Sequence, residues 1–553
     1  MKKRQKRISG VLNHPTSFPS RYGIGDLGKG ARDFIDFLKA GGQSLWQVLP
    51  INPTSFGDSP YQSFSTFAGN HMLISPDELI AEGFLNPEDV ADVPQFSAHK
   101  VEYGNVIEYK TGLLKKSYGL FLEKASQEQK NDFSDFCKKH ESWLDNYCLF
   151  AAIKNHLIEQ RKNEFESDEF KTFREKSIYR IGEGLTKDYY YGAAWLSWPD
   201  DIIRAGEDAV KAWKEKLADE VNFFRYTQYV FCKQWAEIKR YANEREIKII
   251  GDIPIFVAMD SADVWANKNL FQLDEENWPV AVAGVPPDYF SATGQLWGNP
   301  LYAWKEHEKQ DYDWWIKRIS HMLEFVDILR IDHFRGFESY WRIPFGETTA
   351  IEGKWTKGPG EKLFKAIEAK LGKLPIIAED LGVLTEAVEN LRDQFNLPGM
   401  KILQFGFDGG ESDNANMPHN IKTANVVIYT GTHDNDTTAG WYSKVDEKVR
   451  DQFRRYMNVS GDDVSWDMIR LAFLSAANYA VIPIQDIMGL GSYARINVPG
   501  VAVGNWQFRY SEDMLRPEMA SGLLYLSKLS DRNLRKEFVD EEEISPEYIG
   551  EEI

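Results

Sequence analysis

Ile328-Leu329-Arg330-Ile331-Asp332-His333-Phe334-Arg335-Gly336-Phe337 opens as an apolar, β-branched run and stops at an acid. Such a run reads as a buried strand. Asp332 then stands at the strand's end, with Arg330 and Arg335 beside it. A carboxylate on a strand tip is held by a rigid element, and a neighbouring guanidinium favours its ionised form. Two readings fit this segment alone: a nucleophilic carboxylate facing a pocket, or a buried Asp–Arg structural pair.

Similar short apolar runs recur at 44–51, 71–74, 247–255, 374–380, 399–405, 426–432 and 479–484, so the chain offers eight strand candidates with 328–332. Amphipathic helical patterns such as 31–40 and 360–371 lie between them. Buried, near-continuous strands alternating with helices indicate a parallel sheet. Eight of them predict an α/β fold, a (β/α)8 TIM barrel, with functional residues at the C-terminal strand ends. A doubly wound open sheet is the competing architecture, but no Gly-rich nucleotide fingerprint follows the first strand.

The spacing between strands is uneven. It predicts a catalytic barrel from 8–89 and 246–530, interrupted by a mostly helical subdomain at 90–245. Within that insertion, 133–155 and 209–217 have helical patterns. A second, loop-rich insertion at 256–325 carries Gly, Pro and aromatic residues to the barrel mouth. The end, 531–553, is an acidic tail.

A net charge of −19 argues against a nucleic acid or an anionic membrane as partner and is compatible with a neutral substrate. Aromatic residues are 14% of the chain, with 17 Trp. Most belong to the core, but rings in polar, Gly-rich loops suit stacking on sugar faces. Cys137, Cys148 and Cys232 show no metal-ligand spacing and cannot all pair, which predicts a reduced, cytoplasmic setting. The start, Met1-Lys2-Lys3-Arg4-Gln5-Lys6-Arg7, is basic with no apolar stretch after it, unlike a secretory signal. The segment 471–494 is nearly uncharged but holds Asn478, Pro483 and Asp486, so it reads as a helix followed by a buried strand.

Two more acids follow strand candidates: Glu379 in Ala378-Glu379-Asp380-Leu381-Gly382, and Asp434 in Gly431-Thr432-His433-Asp434-Asn435-Asp436. Three strand tips of one barrel would converge on one mouth. Cleavage of a glycosidic bond needs such a set, since one carboxyl protonates the leaving oxygen and another attacks the anomeric carbon or activates water. Arg330 should keep Asp332 ionised, and the apolar neighbours of Glu379 should raise its pKa. Plainer roles exist for the surrounding residues. Asp380 suits the N-cap of the next helix. His433 suits a satisfied core histidine, and His433, Asp434 and Asp436 lack a second His at ligand spacing, so no metal is expected.

The chain resembles the amylomaltases, or 4-α-glucanotransferases, relatives of the α-amylases. The resemblance runs from about Gly10 to about Tyr510, through Tyr22-Gly23-Ile24-Gly25-Asp26-Leu27-Gly28, Ser59-Pro60-Tyr61-Gln62-Ser63, Gly251-Asp252-Ile253-Pro254 and Gly294-Gln295-Leu296-Trp297-Gly298-Asn299-Pro300. Arg495-Ile496-Asn497 and Gly504-Asn505-Trp506 also look like the family. The resemblance implies Asp332 as nucleophile, Glu379 as general acid and base, and Asp434 as the carboxylate that grips donor hydroxyls. It implies donor-side contacts from Arg330, His433, Tyr61 and Asp252. It also implies an acceptor-side loop using Tyr289, Phe290, Gln295, Trp297 and Asn299. Asn505 and Trp506 read as rim contacts, with core packing an equal reading for Trp506. The implied substrates are α-1,4-glucans: maltooligosaccharides, amylose, and glycogen or starch fragments. No cofactor is implied, because the bond made is like the bond broken. Asn13, Phe18 and Ser20 depart from the family's usual wording, away from the acids.

Overall fold

The computed structural model describes residues 7–163, 166–287, 291–382, 384–410 and 413–533. Eight parallel strands form one sheet: β1 (Ile8–Leu12), β2 (Leu45–Gln47), β3 (Lys248–Pro254), β4 (Ile328–Asp332), β5 (Ile376–Ala378), β6 (Gly399–Ile402), β7 (Val426–Tyr429) and β8 (Tyr479–Pro483). Their order in space is β6-β7-β8-β1-β2-β3-β4-β5. The ends meet where Ala378 N donates to Pro398 O at 2.9 Å, so the sheet closes as a (β/α)8 barrel. Val11, Ile249, Ile250, Leu329, Ile331, Val427, Ile428, Val481 and Ile482 have no exposed surface. Helices outside and packed side chains inside bury both faces of each strand, which is why the strands read as continuous apolar runs.

One expected strand is absent. Residues 71–74 form a 3₁₀ turn over His71–Leu73, in which the Asn70 side chain accepts from Met72 N. An Asn placed before the apolar trio offers the backbone a local bond that competes with a ladder. The barrel place is taken by β1, which pairs with β8 and β2. Its Ser9-Gly10 pair hides the apolar pattern. A Cβ at Gly10 would lie 2.2 Å from Leu45 O, so the β1–β2 approach requires glycine.

The foot of the barrel is pinned by Arg532, which is wholly buried. Its guanidinium donates to Phe473 O at 2.8 Å, Ala477 O at 2.8 Å and Ile8 O at 3.1 Å. Ile8 and Ala477 lie where β1 and β8 begin, and Phe473 lies in the last turn of the helix before β8.

Between β2 and β3 the chain runs through long helices, including Tyr103–Lys124, Gln127–Lys139, Glu141–Arg161 and Ala218–Asn243. The single helical run read at 133–155 is two helices, broken at His140, whose backbone caps both. Beyond β3 stand Ala281–Val285 and Gln295–Pro300. They join Ser339–Pro344 and Lys354–Lys357 in a four-stranded antiparallel sheet beside the mouth. Helix Asp313–Phe325 then leads into β4. Residues 1–6 of the basic start and 534–553 of the acidic tail lie outside the described residues.

Candidate active site

Strand register explains how the acids meet. Asp252 pairs with Arg330 across β3 and β4, and Ile331 pairs with Ala378 across β4 and β5. Asp332 and Glu379 are the next residues on adjacent tips. Arg330 points into the barrel, nearly wholly buried, and its two terminal nitrogens bind two acids: Nη1 to Asp252 Oδ2 at 2.6 Å, and Nη2 to Asp332 Oδ1 at 2.9 Å. Tyr61 donates to the same Asp252 oxygen at 2.8 Å. The Asp252 side chain has no exposed surface, so any effect on a ligand passes through Arg330 and Tyr61.

Glu379 is held by the backbone. His333 N donates to Oε2 at 2.7 Å, and Leu381 N donates to Oε1 at 2.6 Å. His333 adopts the left-handed region with φ 53°, a conformation that costs a non-glycine residue energy. That turn directs its N–H at Glu379 immediately after the nucleophile candidate. Burial pushes Glu379 up to about 8, and the charge of Asp332 adds to the rise. The two N–H donors and Arg330 pull the other way but do not win. Burial also lifts Asp252 to about 6 against the pull of Arg330. Arg330 is raised well above its ordinary value because Asp252 and Asp332 outweigh the cost of its burial. One guanidinium among three carboxyls leaves a surplus of negative charge, and a surplus in a low-dielectric site is relieved by keeping a proton. Glu379 keeps it, and its partly exposed side chain can deliver it to the mouth.

Asp434 is set differently. It stands five residues beyond β7 with 48% of its side chain exposed. Asn497 Nδ2 donates to its Oδ1 at 2.6 Å, and Arg495 Nη2 donates to its carbonyl at 2.6 Å. His433 Nε2 lies 3.5 Å from the same Oδ1. The His433 ring stacks on Tyr61 at 5.0 Å, and Trp506 closes the group at 5.9 Å from His433. Tyr61 therefore links the Asp252–Arg330 pair to the Asp434 side.

On the facing rim, Trp297 meets the His333 ring edge-on at 4.9 Å, and its indole N–H donates to Gln295 Oε1 at 3.1 Å. Asn299 is buried, donating to Val257 O at 2.9 Å, which fixes the strand and leaves little of the residue to meet a ligand. Tyr289 and Phe290 lie outside the described residues.

Asp380 is not a helix cap. It forms an ion pair with Arg392 and accepts from Met400 N at 2.7 Å, tying β5 to the next helix and to β6. Thr385 precedes that helix instead. Arg335 lies over the Trp355 ring at 3.7 Å, away from Asp332. Asn13, which departs from the usual family wording, is a core residue whose amide donates to Tyr510 OH at 3.0 Å. Asn497 and Arg495 were legible only as family wording; no local signal shows that they hold Asp434.

A family model described as 4-alpha-glucanotransferase matches residues 13–515. The chain is 46% identical to a 4-alpha-glucanotransferase of Synechocystis over 532 residues, covering 96% of this chain and 99% of the relative. It is 45% identical to that of Thermus thermophilus, covering 95% and 99%. Among solved structures, the amylomaltase of Streptococcus agalactiae in complex with acarbose superposes with a TM-score of 0.86 at 38% identity, covering 96% of this chain and all of that one.

Proposed function

The chain belongs to the 4-alpha-glucanotransferase family, and from that premise we propose that it moves α-1,4-glucan segments by double displacement, with Asp332 as nucleophile and Glu379 as acid and base. The enzyme is a 4-alpha-glucanotransferase rather than a hydrolase. The observation that supports the two roles is the split within one buried cluster. Asp332 is ion-paired to Arg330, and Glu379 is held protonated by burial and by the Asp332 charge.

In the first step an Asp332 oxygen attacks the anomeric carbon, and Glu379 gives its proton to the departing glycosidic oxygen. The C–O bond to the leaving glucan breaks as the ester forms. Esterification removes the charge of Asp332, the second-largest cause of the raised Glu379 pKa. Glu379 thereby becomes a carboxylate suited to act as base. In the second step it takes the proton of an acceptor 4-hydroxyl, whose oxygen displaces Asp332. Two inversions give retention. Asp434, fixed by Asn497, grips donor hydroxyls beside Tyr61 and His433, and Asp252 positions Arg330 and Tyr61. Trp297, packed edge-on against His333, shields the ester from water so that a glucan rather than water receives the sugar.

The substrates are maltooligosaccharides, amylose, and glycogen or starch fragments; acarbose bound to the Streptococcus agalactiae amylomaltase supports an α-glucan site. Among the described residues no helix is long and apolar enough to cross a membrane. The three cysteines are free, which supports the cytoplasm as the working compartment. The test is incubation with maltotriose alone. Glucose together with a ladder of longer maltodextrins supports the reading, and only shorter sugars would overturn it.

A further inference from the structure

Outside the carboxylate cluster, three side chains of metal-ligand type converge where the inserted helices meet the barrel. His140 sits at the break between Gln127–Lys139 and Glu141–Arg161. His321 and Glu324 lie three residues apart on Asp313–Phe325, a spacing that puts both on one helix face. One ligand atom from each of the three lies within 4.8 Å of the others. Aromatic packing with Phe136 and Trp143 accounts for burying the two imidazoles. It does not account for a carboxylate converging on them.

The rings are suited to more than packing. His321 Nε2 faces Phe67 O at 2.9 Å. A carbonyl only accepts, so Nε2 carries the proton and Nδ1 keeps its lone pair. A backbone carbonyl that fixes the tautomer in this way is the usual outer partner of a ligating histidine. Burial lowers both imidazoles, His321 to about 4, so each ring keeps a lone pair at neutral pH. His140 Nδ1 accepts a long bond of 3.4 Å from the Trp143 indole N–H. Glu324 is 48% exposed on its side chain and gives the cluster a solvent entrance. Its present partner is Lys139 Nζ at 2.8 Å, an exposed pair of the kind that contributes little.

We infer that His140, His321 and Glu324 form a binding site for a late first-row divalent cation, zinc by preference, completed by water. Two imidazoles and one carboxylate with an open fourth position are a zinc donor set. Copper and nickel accept the same ligands, whereas magnesium and calcium select oxygen. A bound ion would clip the elbow of the inserted helices to the helix that leads into β4. Lys139 would have to release Glu324.

The test uses the untagged full chain, stripped with chelator. Calorimetric titration with Zn²⁺ should show one saturable site, and Mg²⁺ should show none. Co²⁺ should give the visible bands of tetrahedral coordination without thiolate charge transfer, which separates this site from the cysteines. Glu324→Ala and His140→Phe, which keeps an aromatic ring in the packing, should each weaken Zn²⁺ by at least about tenfold. Lys139→Gln should tighten it. Absence of saturable binding, or full affinity in Glu324→Ala and His140→Phe variants shown to be folded by circular dichroism, would overturn the inference.

Discussion

Two buried arginines at opposite ends of the barrel show how the same side chain serves different ends. At the foot, Arg532 spends its donors on backbone carbonyls. With no carboxylate against it among the described residues, burial, helped by the charge of Arg7, depresses it to about 9. At the mouth, Arg330 is almost as buried but binds two carboxylates, and it is raised well above its ordinary value. Carbonyl dipoles satisfy hydrogen bonds and fix geometry. Carboxylates also set charge, and charge is what divides the roles of Asp332 and Glu379. The foot is built for closure and the mouth for proton control.

The strongest way to break this contrast is at the mouth. Asp332→Asn keeps the shape and removes the nucleophile, and should reduce glucose release from maltotriose by about 10⁴-fold or more. Glu379→Gln should cost roughly 10²- to 10⁴-fold. In the parent enzyme kcat/KM should fall as pH rises through about 8, as Glu379 loses the proton it must donate. Stability should move the same way. The folded state holds that proton up to about 8 while the unfolded chain releases it near an ordinary glutamate value, so Glu379 costs stability increasingly between those limits. Glu379→Gln should therefore melt higher than the parent at pH 8 and match it at low pH, read by calorimetry.

The arginines themselves give the direct comparison. Arg330→Met leaves the buried Asp252 and the partly exposed Asp332 without their cation and should destabilise by about 3–5 kcal/mol while abolishing most activity. Arg532→Met strands carbonyls but no charge. It should cost about 1–3 kcal/mol for each carbonyl left unpaired and leave kcat of the folded fraction unchanged. The smallest effect is expected at the rim: Trp297→Ala should raise the ratio of hydrolysis to transfer several-fold, roughly the scale of lost water exclusion. An unchanged ratio would remove Trp297 from that role.

The mouth was more legible in the sequence than the foot. Each acid follows an apolar run, so Asp332 and Glu379 could be placed on strand tips by pattern, and Arg330 could be paired with Asp332 by proximity. The pairing of Arg330 with Asp252 and Tyr61 depends on register between β3 and β4, which no local pattern carries. Asp434 is clamped by Asn497, a contact across 63 positions. At the foot, β1 was obscured by Ser9-Gly10, whose value lies in close approach to β2 rather than in apolarity. The turn at His71–Leu73 copied the strand pattern because a buried 3₁₀ turn is as apolar as a short strand.

The central claim is that Asp332 carries the sugar. It is tested by treating Glu379→Gln with α-maltosyl fluoride, whose fluoride leaves without a protein acid, and mapping the adduct by mass spectrometry. Without a base to activate the acceptor, the intermediate should accumulate as a maltosyl ester on the peptide containing Asp332. A label on Asp434 or elsewhere, or transfer products of inverted anomeric configuration with no adduct, would contradict it.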